Sequence, residues 1–561
     1  MNLKQNTLNF RVIAKENIGY FFACLSVVIC IVVASLTVPF NIDSIYDEGF
    51  HYLFLQDALN GTINGISQWA NILVTLLPSS ICTSVLALRI IGLCLPICTS
   101  IVFFLLTQQI AVSTKEKIIY FIMVFFLIIP SVGGIMMCYN EISQCLLIIS
   151  CATLYRLCYN TNRISNSIWA VLTGLLLSLS LFSILPSAVT LGGCSIFLIC
   201  LRYWKKWRDL VLYLLCGIIG ISIAFFLVHL FVADLYDIIQ GMTATAQTIT
   251  TVNRGYDLIS FILKILLFIR DFAFCTFVIL GIYTIGNVIA QWSKILAIIM
   301  FIISILLYHH YQIKPQVSIS MIMTSLWIIP IIYHKRIETN LSIRNILNFE
   351  KSFTIFLICY PLLASIGTNV YIGGKMSYFL IPWVLLLWRI DFVNSNSLSR
   401  NGGLIAISII LMSSAYSSFK TIDYSKKRVE YGGFKGLYMT DAQEIHFCRV
   451  DSILSLYNFR RNESVVYTTQ LSMVTIAYME GVPCGVFFQP TDFVCHASEI
   501  KCAPDFLFMC KYDETVVGET LTHMNWGWPD EFDKYNIGTP ETIDVGYSTE
   551  RWLYCRKSLK N

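Results

Sequence analysis

The chain has 561 residues, 56% of them hydrophobic and only 13% charged, with a mean hydropathy of +0.68. A soluble domain carries about 25% charged residues, so a soluble globular enzyme is excluded, and a disordered, collagen-like, coiled-coil or nucleic-acid-binding chain would need more charge or a repeat. A polytopic membrane protein remains. Charge also marks a boundary: residues 421–561 hold 14 Lys/Arg and 19 Asp/Glu, against 40 charged residues in the preceding 420. The pattern predicts two domains, a membrane module over 1–420 with a first outer loop at 41–85, and a soluble domain over 421–561.

A helix rises about 1.5 Å per residue, so crossing a hydrocarbon core of about 30 Å takes roughly 20 apolar residues. Stretches that meet or approach this lie at 18–40, 86–110, 118–137, 142–159, 167–185, 186–201, 210–233, 271–290, 295–308, 317–333, 352–371, 376–388 and 404–419. That predicts about 11–13 transmembrane helices. Those starting at Pro186, Ile295 and Met376 are short and call for bending or shielding by neighbours. The first follows a basic start, yet its long uncharged core and the lack of a small-residue cleavage site mark a retained span rather than a signal peptide.

Lys and Arg fall unevenly between these stretches. Eighteen lie on the side of the amino terminus, including Arg156, Arg163, Arg202, Lys205, Lys206, Arg208 and Arg389, whereas the other side holds only Arg254, Lys314 and Lys375. The positive-inside rule makes the amino terminus cytoplasmic, and an odd number of spans puts the tail outside. Fourteen of the 20 cysteines lie in or beside spans as small apolar fillers. Six are in the tail, namely Cys448, Cys484, Cys495, Cys502, Cys510 and Cys555. They permit disulfides without fixing a pairing, and they show no Cys-x-x-Cys metal spacing.

The first outer loop reads Tyr46-Asp-Glu-Gly-Phe-His51 and continues with Leu53, Phe54 and Ala58 at helical spacing up to Asn60-Gly61. This predicts a short helix along the membrane surface. Asp47, Glu48 and His51 sit three and four residues apart, on adjoining faces. Two carboxylates at a helix start can simply complement its dipole, worth about 0.3–1 kcal/mol. Their place after the first span, in a loop without a basic residue before Arg89, also suits a proton acceptor or ligand site, because a poorly solvated carboxylate is a stronger base when ionised.

The Asp47-Glu48 pair in a first outer loop resembles the Asp-Glu motif of the GT-C glycosyltransferases, the superfamily of the protein O-mannosyltransferases and the lipid A aminoarabinose transferases. Further stretches are similar in the same order: Trp69-Ala-Asn-Ile-Leu, Leu86-Ala-Leu-Arg89-Ile-Ile-Gly, Tyr139-Asn-Glu141 at a position that carries an acid, and Gly174-Leu-Leu-Leu-Ser-Leu-Ser-Leu before Pro186. The likeness covers roughly the first 200 residues. Leu185 stands where many relatives have a Lys, and Gln68-Trp69-Ala70 where Lys-Pro-Pro is frequent. Those lysines are natural phosphate contacts, so a donor would be gripped differently here.

The resemblance implies a GT-C-like polytopic helical fold with a soluble carboxy-terminal α/β domain. It also implies an inverting transfer of a sugar from a polyprenyl-phosphate donor to a glycan, lipid or protein acceptor on the outer face. Asp47 would be the general base, a role typically worth about 10²–10⁴-fold. Glu48 would orient the acceptor or share the proton. The leaving phosphate needs positive charge or a metal. The outer cations available are Arg89, Arg254 and Lys375, each of which could instead be an interfacial anchor. Lys375 follows Gly373-Gly374, where the backbone can approach a phosphate closely. His51 and Glu141 complete the substrate-binding candidates, and Asp47, Glu48 and Glu141 could hold a divalent cation through hard oxygens. His309 and His310 are a weaker pair of ligands, and Lys264 and Arg270 fall at a cytoplasmic or buried end.

The tail alternates apolar runs with helical stretches, predicting strands at 464–468, 485–488, 505–510 and 551–555 and a helix at 471–479. Trp526 and Trp528 could stack on a sugar, although core packing is the commoner use. The rival readings are a multi-span transporter, which would want ionisable residues inside the spans, and an O-antigen polymerase or ligase. A bacterial inner membrane is the expected location, and Asn60-Gly-Thr62 and Asn462-Glu-Ser464 are sequon-like.

Overall fold

The structure, a computed structural model, describes residues 2–40, 47–59, 69–78, 84–129, 136–252, 262–270, 348–366, 375–389, 397–467, 473–484, 493–494, 503–538 and 551–561. Helix starts in the membrane module are fixed by capping side chains, which satisfy the amide groups that the first turn leaves unpaired. Ser84 accepts from Ala87 N at 3.2 Å to open α3 (Val85–Thr107), and a Ser113/Glu116 capping box opens α4 (Thr114–Ile128). Cys138 and Glu141 form another box at the head of α5 (Tyr139–Tyr159), and Asn162 caps α6 (Arg163–Leu181). Pro186 in the first turn of α7 (Leu185–Tyr203) has no amide hydrogen to leave unpaired.

With α1 (Asn2–Thr37) and α8 (Trp207–Phe231), six helices among the described residues are long and apolar enough to cross a membrane: Ile18–Thr37, Val85–Ile110, Tyr139–Tyr159, Arg163–Leu181, Leu185–Tyr203 and Trp207–Phe231. The chain is an integral membrane protein of the expected helical class. Other expected spans are shorter among the described residues: α4, α10 (Phe349–Leu363), α11 (Trp383–Arg389) and the apolar part, Ile407–Phe419, of α12 (Ser397–Phe419). Residues Met123 to Ile128 of α4 and Trp383 to Leu387 of α11 are buried in the bundle, so neighbouring helices shield them where length does not suffice. The spans expected at 271–290, 295–308 and 317–333 lie outside the described residues.

Contacts alternate the helices between two ends. Leu88 O accepts from Met137 N at 3.1 Å, joining the start of α3 to the start of α5. At the opposite end, the Tyr203 hydroxyl donates to Leu157 O at 2.6 Å, and Glu350 meets Tyr159 and Arg389. Glycine sets the closest crossing: a Cβ on Gly174 would stand 2.3 Å from Gly217 O, and one on Gly220 2.1 Å from Val171 O. Gly220→Val therefore separates α6 from α8 and is expected to destabilise the bundle by about 1–3 kcal/mol. Thermal unfolding of the purified variant checks this, and an unaltered melting temperature would refute it.

The tail carries a five-stranded mixed sheet in the order β2-β1-β3-β5-β4, built from β1 (Val465–Tyr467), β2 (Val482–Pro483), β3 (Phe506–Cys510), β4 (Phe532–Asn536) and β5 (Arg551–Arg556). β1 pairs in parallel with β2 and β3, while β5 is antiparallel to β3 and β4. Helices α13 (Asp441–Leu454), α14 (Met473–Met479) and α15 (Lys511–His523) pack around it. The expected strand at 485–488 lies outside the described residues. Trp528 meets the Tyr554 ring edge-on at 4.7 Å and Trp526 packs on the same cluster, so both indoles serve the domain core. Cys448, Cys510 and Cys555 are free thiols.

One apolar core runs from the first outer loop into this tail, taking in Tyr52, Leu53, Val85, Leu88, Phe434, Leu437, Ala477 and Phe508. The tail, the first outer loop and the heads of α3 and α5 therefore share one side of the bundle. A helix not anticipated from the sequence, α9 (Leu235–Val252), adds Ile238 to the same core. Its run of β-branched residues hid it, since Thr and Ile are weak helix formers.

Candidate active site

Helix α2 (Asp47–Leu59) opens on the two carboxylates of the first outer loop. Glu48 is buried, and its two oxygens accept from Arg89 Nε and Nη2 at 2.6 Å each, a bidentate fork between α2 and α3. Arg89, 2% exposed, also donates from Nη1 to Val38 O at 2.8 Å and Phe40 O at 2.5 Å. One guanidinium thus gathers the chain just past α1, the first turn of α2 and the first turns of α3. Arg89, one of the candidate phosphate contacts, thus stands at the joint that holds the first outer loop. The side chain of Asp47 lies outside the described residues, although its backbone forms the first residue of α2.

His51, one turn on, is buried and meets the Tyr139 ring edge-on at 5.7 Å, joining α2 to the head of α5. Burial pushes its imidazole down to about 4, so it is neutral at physiological pH. The next residue of α5, Asn140, accepts a short hydrogen bond through Oδ1 from Lys375 Nζ. Lys375 is 8% exposed and lies 5.1 Å from the centre of the Tyr378 ring. Glu141 receives Cys138 N and Cys138 Sγ on Oε2, both at 2.9 Å, and feels the Lys375 charge. Glu48, His51, Arg89, Glu141 and Lys375 therefore stand in one layer around the heads of α2, α3 and α5.

Arg254, His309, His310 and the two glycines before Lys375 lie outside the described residues. Lys264 and Arg270 stand on the helical stretch 262–270. Two residues of this layer, Asn140 and Tyr378, carry no charge to draw attention in the sequence; only the place of Asn140 inside Tyr139-Asn-Glu141 pointed to it.

Of the oxygens expected to bind a divalent cation, both of Glu48 are held by Arg89 and Oε2 of Glu141 by Cys138, while those of Asp47 lie outside the described residues. Among the described residues no group of three or more His, Cys, Asp or Glu could hold a metal ion.

The tail closes the layer from outside. Gly433 N donates to Ala477 O at 2.8 Å, Gly433 O accepts from Val85 N at 2.8 Å, and a Cβ on Gly433 would lie 2.3 Å from the Tyr52 ring. One tail residue without a side chain so touches α14, the head of α3 and α2. Gly433→Ala is expected to push Tyr52, and α2 with it, out of register, with loss of activity that Tyr52→Leu restores in the double variant. Assaying both variants at equal membrane content checks this; a double variant no better than the single one would refute it.

No family model matches the chain, and no curated protein matches it. Among solved structures it is similar to the Archaeoglobus fulgidus oligosaccharyltransferase in complex with zinc and sulfate, with 9% identity over 87% of this chain and 67% of that one, at a TM-score of 0.42. It is also similar to ArnT from Cupriavidus metallidurans bound to undecaprenyl phosphate, with 9% identity over 96% and 98% of the two chains, at a TM-score of 0.39.

Proposed function

We propose that the chain transfers a sugar from a polyprenyl-phosphate donor to an acceptor at the bilayer face that carries the soluble domain, with inversion at the anomeric carbon. The observation that supports this best is the convergence, in one buried layer, of the first-loop helix bearing Asp47 with a lysine held by Asn140 and Tyr378. In this reading Asp47 takes the proton of the acceptor hydroxyl as its oxygen attacks the anomeric carbon. The bond from that carbon to the phosphate oxygen breaks, and the phosphate leaves with the electron pair. Lys375 neutralises the charge that develops there. Glu48, locked to Arg89, then orients Asp47 through the backbone, while neutral His51 offers a hydrogen bond rather than a charge. Arg254 is a further donor contact in the same reading.

In the same reading the amino terminus lies on the cytoplasmic side of a bacterial inner membrane, with residues 421–561 as the extracytoplasmic domain. The test is mass spectrometry of envelope glycans, lipids and proteins in a strain lacking the chain, complemented with the unaltered chain or with Lys375→Gln. One sugar is expected to vanish on deletion, to return with the unaltered chain, and to return at least tenfold less with Lys375→Gln. Deletion without any missing sugar would end the proposal.

A further inference from the structure

At the ends of the spans away from the soluble domain, α5 closes on Tyr159, α7 closes on Tyr203, and α10 opens at Phe349. Arg389 is committed there: it pairs with Glu350 at 2.6 Å and meets the Tyr159 hydroxyl. Arg202 lies within the field of the same Glu350 carboxylate but is not ion-paired to it. Its guanidinium lies 5.1 Å from the centre of the Phe349 ring and 5.8 Å from that of Tyr159, and among the described residues it makes no hydrogen bond. Two aromatic faces thus hold the planar fork in place while its N–H donors stay available to oxygen acceptors.

The turn that follows reads Trp204-Lys-Lys-Trp-Arg208 and stands in the open, with Trp204 76% and Trp207 65% exposed. The helices on either side show apolar residues to the outside, Ile196 and Phe197 on α7 and Val211 and Leu215 on α8, as lipid-facing surfaces do. Indoles beside lysines at the end of such helices are the arrangement of a membrane interface, where they meet headgroups. Only Asp209 in this turn is acidic, and it pairs with Arg163 at 3.0 Å.

We propose that this face is a binding site for an anionic phospholipid. Arg202 takes the headgroup phosphate, Lys205 and Lys206 supply the surrounding positive charge, and the acyl chains lie along Ile196, Phe197, Val211 and Leu215. The site is independent of the transfer chemistry proposed for the other end of the bundle.

The experiment uses the purified full chain in neutral detergent, melted with added phosphatidylglycerol, with phosphatidylcholine of the same acyl chains, or with inorganic phosphate. Phosphatidylglycerol alone is expected to raise the melting temperature, and Arg202→Gln to remove at least half of that increment. An equal effect of both lipids, an increment kept in Arg202→Gln, or its reproduction by inorganic phosphate would overturn the site. Should Arg202→Gln not fold, brominated lipids report on the unaltered chain through Trp204 and Trp207. Stronger quenching by the brominated anionic lipid supports the site, and equal quenching by both overturns it.

Discussion

Asp47→Asn is expected to lower the rate of sugar transfer by about 10²–10⁴-fold while leaving the folded chain in the membrane at its normal amount. Asn has nearly the shape of Asp but cannot take a proton, so the substitution removes the base and little else. Its competing cost is the loss of a carboxylate at the start of α2, worth about 0.3–1 kcal/mol, which is too small to unfold a helix whose Leu53, Phe54 and Leu55 are buried. Stability and rate therefore separate. Measuring both on the same preparation decides the matter: a rate that falls only in proportion to folded protein would make Asp47 a helix-start residue and nothing more.

Arg89→Leu is expected to act the other way, through stability first. The substitution leaves Glu48 buried without the partner that holds both of its oxygens, and breaking such a pair costs about 3–5 kcal/mol. It also withdraws the donor shared by Val38 O and Phe40 O. Adding Glu48→Leu removes the stranded charge, so the double variant is expected to regain a good part of the loss, because residues in direct contact are not additive. A thermal unfolding cycle over the two single variants and the double one gives the coupling directly. If the two losses simply add, the fork does not hold the first outer loop.

Legibility in the sequence followed apolar length. The spans Ile18–Thr37 and Trp207–Phe231 are long enough for composition to settle them, and the continuous apolar run of β3 was equally plain. What stayed hidden depends on partners distant in the chain. β4 (Phe532–Asn536) buries only Phe532 and carries Asp533 and Lys534, so it does not look like a strand until β5 is beside it. His446 sits on a polar helix, yet it is buried between Ile537 O and Thr475 Oγ1, and burial pushes it down to about 4. Arg89 was a visible cation with an invisible partner: the 41 positions that separate it from Glu48 reveal nothing of their fork. Lys375 and Asn140, 235 positions apart, are the same case.

Gly433, which touches Tyr52 and Val85, has a consequence for biosynthesis. The ribosome releases the first outer loop early, and the piece that closes over it arrives only after about four hundred further residues, tens of seconds later at 5–20 residues per second. Throughout that interval the inner faces of Tyr52, Leu53 and Val85 wait without their cover at the rim of the bilayer. A nascent chain halted before residue 433 is accordingly the form most exposed to membrane proteases, and quality control has a natural checkpoint in whether this last piece has docked.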